Sequence, residues 1–352
     1  MEQAVYRIID ANFNRGREAI RVVEDYCRFA LNSALLTERA KQFRHELSAA
    51  VGKLDAGRLI ASRDTPGDVG VGLKVDKQLQ RTDLHDSFTA GCKRLTEALR
   101  TLTEATQAIN PDVAETMEKL RYEAYTMEKD IVVFSEPQNK FKQVRLYVII
   151  SSSLPADVIS LTQKCVAGGA DCIQLRAKDA EDDKLFAMVV EFVQICKAGG
   201  VFSIINDRAD IAVAACADGV HLGQNDLPVE QVRKLQLAPL IIGKSTHSLK
   251  ELEATCKENP TYVSLGPVFP TPTKPGVEPV GLDYVKQGLE KLADTGIGHV
   301  AIGGITPENV EQVLEAGTAC ISVCSAVTEA RDPTAACRTL KEKITAIEQI
   351  KR

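Results

Sequence analysis

The sequence has no tryptophan, and aromatic residues make up only 5% of its 352 positions. So few rings argue against a platform for stacking nucleic-acid bases. The formal net charge of -5 likewise argues against a nucleic-acid partner held by bulk electrostatics. No run of about 18 apolar residues occurs, so no membrane span is expected. The N-terminus, MEQAVYRIIDANFNRGREAI, carries charges throughout and no apolar core of the signal-peptide kind. A cytoplasmic protein is the expectation. Ten cysteines are present, yet none forms a Cys-x-x-Cys pair. Cys165, Cys172, Cys196, Cys216, Cys320 and Cys324 lie in or beside apolar runs. They read as reduced, small hydrophobes, not as metal ligands or a disulfide framework.

What is present falls into two parts. Residues 1–134 have helical periodicity. Segment 13–31 sets Ile20, Val23 and Cys27 at helical spacing, and further helices are predicted over 33–50, 83–108 and 112–133. Between them, RDTPGDVGVG at 63–72 has the chemistry of a loop. A weak repeat runs through this part: Glu18-Ala19-Ile20-Arg21 matches Glu97-Ala98-Leu99-Arg100, and Phe43-Arg44-His45-Glu46 matches Leu120-Arg121-Tyr122-Glu123. The nearly equal offsets imply a duplicated helical hairpin. Residues 135–143, SEPQNKFKQ, read as a linker.

From 144 to 352 the pattern changes. Apolar, β-branched runs at 145–152, 172–177, 201–207, 219–224, 240–245, 262–268, 298–304 and 318–327 alternate with amphipathic stretches. Continuous apolar strands joined by helices mean a parallel sheet. Eight such units predict a (β/α)8 TIM barrel behind an all-α N-terminal domain.

In such a barrel the site lies where the strands end. Strand 2 ends in Gln174, Arg176 and Lys178, and alternate residues of a strand face one side. Two cations there suit a pyrophosphate or a carboxylate. Strand 3 ends in Asn206 and Asp207, and strand 4 leads to Gln224, Asn225 and Asp226. Two carboxylates facing those cations predict Mg2+ bridging to phosphate. Taken singly, each carboxylate reads as a helix cap or the start of a turn. Strand 5 ends in Ser245, with His247 just beyond; His247 reads slightly better as structural than as a base. After strand 6, the loop of YVSLGPVFPTPTKPG offers Thr271, Thr273 and Lys274 to an anion. Gly303 and Gly304 after strand 7, with Cys324 and Ser325 on strand 8, make a neutral cradle for a monophosphate. No cation flanks Cys324 in sequence, so it is not expected to be a thiolate nucleophile. One charged and one neutral anion site suit an enzyme that joins a diphosphate-activated fragment to a phosphorylated one.

The ordered motifs QLRAK, INDR, DGVHLGQND, GKSTHS, SLGPVFPTPTK, IGGIT and ISVCSAV resemble those of thiamine-phosphate synthases, over residues 144–350. The resemblance implies a transferase that condenses 4-amino-2-methyl-5-(diphosphooxymethyl)pyrimidine with a thiazole phosphate. Pyrophosphate leaves first, and the thiazole nitrogen traps the pyrimidine cation. Carried over by motif, Gln174, Arg176, Lys178 and Asn206 bind the diphosphate substrate. Asp207 and Asp226 hold magnesium, and Ser245 and Lys274 contact the pyrimidine or its pyrophosphate. Thr271, Thr273, Gly304, Cys324 and Ser325 hold the thiazole phosphate. Arg176, Lys178 and Lys274 stabilise the leaving group. A thiazole tautomerase of similar sequence is the alternative; it would not need the cations and paired carboxylates.

The N-terminal part, with DANFNRGREAIRVVED and RDTPGD, resembles an extension found on some of these enzymes, including cyanobacterial ones. Relatives of it are linked to pyrimidine phosphorylation. No P-loop is present, so a docking or dimerisation module, making a homo-oligomer, reads better than a kinase. Arg15, Arg17, Arg21, Arg63, Asp64 and Asp68 are its candidate polar site.

Overall fold

A computed structural model describes residues 2–31, 33–70, 73, 80–235, 239–271 and 278–351. It divides into two compact units, Met1–Val132 and Val133–Arg352.

The first unit is helical: α1 (Glu2–Asp25), α2 (Ala34–Val51), α3 (Ala56–Ala61), α4 (Leu84–Thr106) and the greater part of α5 (Pro111–Phe141). The periodic apolar residues of α1, Ile9, Ile20 and Val23, are fully buried. Ser33 and Asp83 cap α2 and α4 by accepting from backbone N–H groups of the first turn. The repeated sequences fall in matching elements, one pair in α1 and α4, the other in α2 and α5. The first helix begins earlier than expected and ends in a π-helical turn, Tyr26–Ala30.

The expected linker is a correction. Residues 135–141 are the last two turns of α5, despite Pro137. Proline removes one helical hydrogen bond and crowds the preceding turn. Tertiary packing offsets that cost: Ser135, Gln138 and Phe141 are buried.

The second unit is a closed parallel barrel with its strands in sequence order. The strands are β1 (Leu146–Ile150), β2 (Cys172–Leu175), β3 (Phe202–Asn206), β4 (Gly219–Leu222), β5 (Ile241–Thr246), β6 (Tyr262–Leu265), β7 (Gly298–Ile302) and β8 (Ile321–Val323). Their alternation separates two cores. One side of each strand packs outward on the helices, as Val148, Ile173, Ile205 and Val263 do. The other side fills the barrel with Tyr147, Cys172, Ile204, Ile241, Tyr262, Val300 and Cys320, closed by Phe141. The last predicted strand is shorter than expected, because Ser325–Thr328 turns into a short helix.

Candidate active site

A cavity of about 330 Å³ opens at the C-terminal ends of the strands. Its walls include Gln174, Arg176, Lys178, Asn206, Asp207, Asp226, Ser245, Thr271, Gly304, Cys324 and Ser325. These eleven side chains and glycines come from seven strand ends or their loops, which is why no local window of sequence contains the site. Thr273 and Lys274 lie outside the described residues.

The β2–β4 side is charged. Arg176 donates from Nη1 to Ser151 Oγ at 3.1 Å, which aims the guanidinium across the mouth. Lys178 Nζ stands 3.8 Å from Asp207 Oδ2. Asp207 sits at φ 63°, a left-handed conformation in which aspartate is among the tolerated residues. Its N–H donates to His221 O at 2.8 Å, tying the end of β3 to β4. Burial pushes the Asp207 carboxyl above the usual carboxylate range, and the adjacent Asp226 raises it further; Lys178 and Arg176 pull it back. Asp226 Oδ2 accepts from Gly223 N at 2.6 Å. Two part-buried carboxylates held together, with cations beside them, form a donor set that suits a hard divalent cation whose other ligands are water and substrate oxygens. Among the described residues no group of three or more His, Cys, Asp or Glu side chains is placed to hold a metal ion, so the protein would supply only these two carboxylates.

The β6–β8 side is nearly neutral. Gly303 and Gly304 both take positive φ, and a Cβ on Gly304 would lie 2.5 Å from Pro270 O. The loop after β6 bonds directly to the turn after β7, through Val268 N to Ile302 O and Phe269 N to Gly303 O. Asn309 Nδ2 donates to Gly304 O at 2.8 Å and so braces the turn. Cys324 and Ser325 start the short helix opposite. Such a cradle offers backbone N–H groups and hydroxyls rather than charge.

His247 lines the cavity, but its Nδ1 lies 3.1 Å from Glu251, which also accepts from its backbone N–H at 2.8 Å. That supports the structural reading. Lys244 points outward and pairs with Glu258 at 2.7 Å, as strand alternation requires next to an inward Ser245. Sequence reasoning assigned no role to His221 or Ser264, which reach the cavity together with Ser322, one of the strand 8 hydroxyls. The signal was available: a polar residue interrupts each of three apolar strands. The Ser322 hydroxyl is buried with no hydrogen-bond partner among the described residues, so a ligand or water can claim it.

In the helical unit the candidate polar site splits. Arg63 makes two hydrogen bonds to Asp10 at 2.7 and 2.8 Å. Arg17 and Arg21 instead line a cleft of about 420 Å³ with Arg44, Asn14 and Glu18. Arg44 Nε is held 2.9 Å from the buried Glu24. Arg15, Asp64 and Asp68 are exposed and are not part of that cleft.

A family model described as thiamine monophosphate synthase matches residues 146–327. The chain is 35% identical to a thiamine-phosphate synthase of Nostoc punctiforme over 347 residues, covering 99% of this chain and 96% of that protein. It therefore belongs to the thiamine-phosphate synthase family. A Synechocystis member is 36% identical over 98% of this chain and 97% of its own length. One from Rhodopirellula baltica is 37% identical over 92% and 88%. These matches run through the helical unit, where a second model, the ThiD2 family, covers residues 7–130. The solved thiamine phosphate pyrophosphorylase of Pyrococcus furiosus superposes with a TM-score of 0.53 at 31% identity, over 60% of this chain and 98% of its own. The family is one of transferases, and no described helix is long and apolar enough to cross a membrane.

Proposed function

We infer that the barrel joins the 4-aminopyrimidine diphosphate to a thiazole phosphate in its mouth cavity, releasing pyrophosphate and forming thiamine phosphate. The observation that carries this reading is the division of the cavity. Cations and paired carboxylates line one side, and braced, neutral backbone lines the other. One side suits a leaving diphosphate; the other suits a phosphate that stays.

The bond between the pyrimidine methylene carbon and the diphosphate oxygen breaks, and its electron pair leaves with the pyrophosphate. The thiazole nitrogen then supplies its lone pair to form the new C–N bond. The difficulty is charge on the departing oxygens, not proton removal. Arg176 and Lys178, with Lys274 from the loop after β6, stabilise that charge. Asn206 and Gln174 orient the pyrimidine fragment, and Ser245 faces it. Thr271, Thr273, Gly304, Cys324 and Ser325 hold the thiazole phosphate. Asp207 and Asp226 would hold Mg2+, which when bound supplies positive charge to the diphosphate oxygens.

The test is an assay on the purified chain with both substrates and magnesium, following thiamine phosphate and pyrophosphate together. Folded protein that makes neither product would return the barrel to the tautomerase reading. A second reading concerns the helical unit. Its match to the ThiD2 family is compatible with pyrimidine phosphorylation beside docking, and Arg17, Arg21 and Arg44 line a cleft there. Supplying pyrimidine monophosphate and ATP in place of the diphosphate tests it; absence of product there leaves docking.

A further inference from the structure

Five side chains inside the barrel form one unbroken hydrogen-bonded chain. Gln174 Nε2 lies 2.7 Å from the Tyr147 hydroxyl, and that hydroxyl 2.8 Å from the one on Tyr262. The Tyr262 hydroxyl is 2.9 Å from His221 Nδ1, and His221 Nε2 is 3.0 Å from Ser245 Oγ. Both ends, Gln174 and Ser245, face the cavity. The middle lies on the barrel floor, where Tyr147 and Tyr262 are 1% and 0% exposed. The Tyr262 ring stacks on Phe141 at 4.0 Å and fills the space a Cβ on Gly243 would need. Close packing therefore fixes the rings, whatever the hydroxyls do.

Proton counting allows such a chain two arrangements. Each phenol has one proton to donate, and a neutral imidazole has one donor and one acceptor. When Gln174 donates to Tyr147, Tyr147 donates to Tyr262, Tyr262 to His221 Nδ1, and His221 Nε2 to Ser245. Gln174 then turns its oxygen to the cavity and Ser245 its O–H. Reversing every bond turns the Gln174 amine and the Ser245 oxygen outward instead. A break within the chain leaves a buried hydroxyl without its partner, which is costly. In both arrangements the two ends show one donor and one acceptor, never two of a kind.

We propose that Tyr147, Tyr262 and His221 are positioning residues that couple Gln174 and Ser245 into a reader of the aminopyrimidine edge. The exocyclic amine donates to Gln174, and the neighbouring ring nitrogen accepts from Ser245. This rests on the pyrimidine-binding reading above. A 4-oxo ring presents the mirrored edge and is met by full reversal, so it is a poor probe. A 4-methoxy ring presents two acceptors, which the intact chain cannot satisfy.

The experiment compares kcat/KM for the 4-amino substrate and its 4-methoxy analogue in the unmutated enzyme, Tyr262→Phe and Tyr147→Phe. Each substitution keeps the ring and removes only a hydroxyl, and circular dichroism checks the fold. Either one frees Gln174 to turn its amine outward while Ser245 still donates. The preference for the 4-amino substrate should fall by about tenfold or more in both variants. The KM for the thiazole phosphate should stay unchanged, which a general loss of structure would not permit. An unchanged preference in folded, active variants overturns the proposal. An unmutated enzyme that does not turn over the 4-amino substrate overturns the functional reading beneath it instead.

Discussion

The two sides of the cavity handle anions in opposite ways. The β2–β4 side uses full charges: Arg176, Lys178 and Asp207. The β6–β8 side uses backbone, held by Phe269 N to Gly303 O and by Asn309 on Gly304. Charge suits a group whose negative charge grows as a bond breaks, because Coulomb energy rises with that charge in a partly dry site. Braced backbone suits a phosphate whose charge does not change, since it gives position without strong attraction.

The most forceful way to break this comparison is Asp207→Asn. Magnesium-dependent turnover should fall about 100-fold or more, with the fold intact. Wild-type-like rates would remove the metal from the charged side. Gly304→Ala attacks the other side. A methyl at φ 62°, 2.5 Å from Pro270 O, must displace the turn. The KM for the thiazole phosphate should rise by roughly 10- to 100-fold, with the pyrimidine KM nearly unchanged. Ser325→Ala is gentler, because one hydroxyl is lost and the backbone stays. We expect the thiazole phosphate KM to rise by about 2- to 10-fold. A change confined to the pyrimidine KM would mean that the two sides are assigned the wrong way round.

The smallest effect concerns stability. Burial and Asp226 raise the Asp207 carboxyl, so its ionisation costs more in the fold than in the unfolded chain. A raised carboxyl contributes fully only below its unfolded value, and that contribution is lost as pH rises through the folded one. At neutral pH without metal, Asp207→Asn should therefore raise Tm. Magnesium should raise the Tm of the unmutated protein and not of the variant. A lower Tm for the variant in metal-free buffer would show that Asp207 is held by its cations more than it is opposed by its neighbour.

Much of this was legible beforehand because it rests on local rules. Strands such as Leu146–Ile150 and Cys172–Leu175 are apolar on both faces, and only a covered parallel sheet accepts such runs. Gln174, Arg176 and Asn206 stood out because polar groups rarely interrupt such strands without a use. The end of α5 was misread for the opposite reason. Pro137 and its polar neighbours signal a linker, but Phe141 stacks on Tyr262, more than a hundred residues away.

By itself the sequence determined the alternation of strands and helices, the eightfold count, and which strand ends carry cations, carboxylates or glycines. Those follow from periodicity and from residue chemistry within a few positions. The tertiary structure alone decided that β6 and β7 loops clamp one turn, and that Gln174 and Ser245 are wired together beneath the cavity through Tyr147, Tyr262 and His221. The last of these depends on barrel closure, which sets side chains from non-neighbouring strands at hydrogen-bonding distance. No spacing along the chain encodes a contact across the barrel.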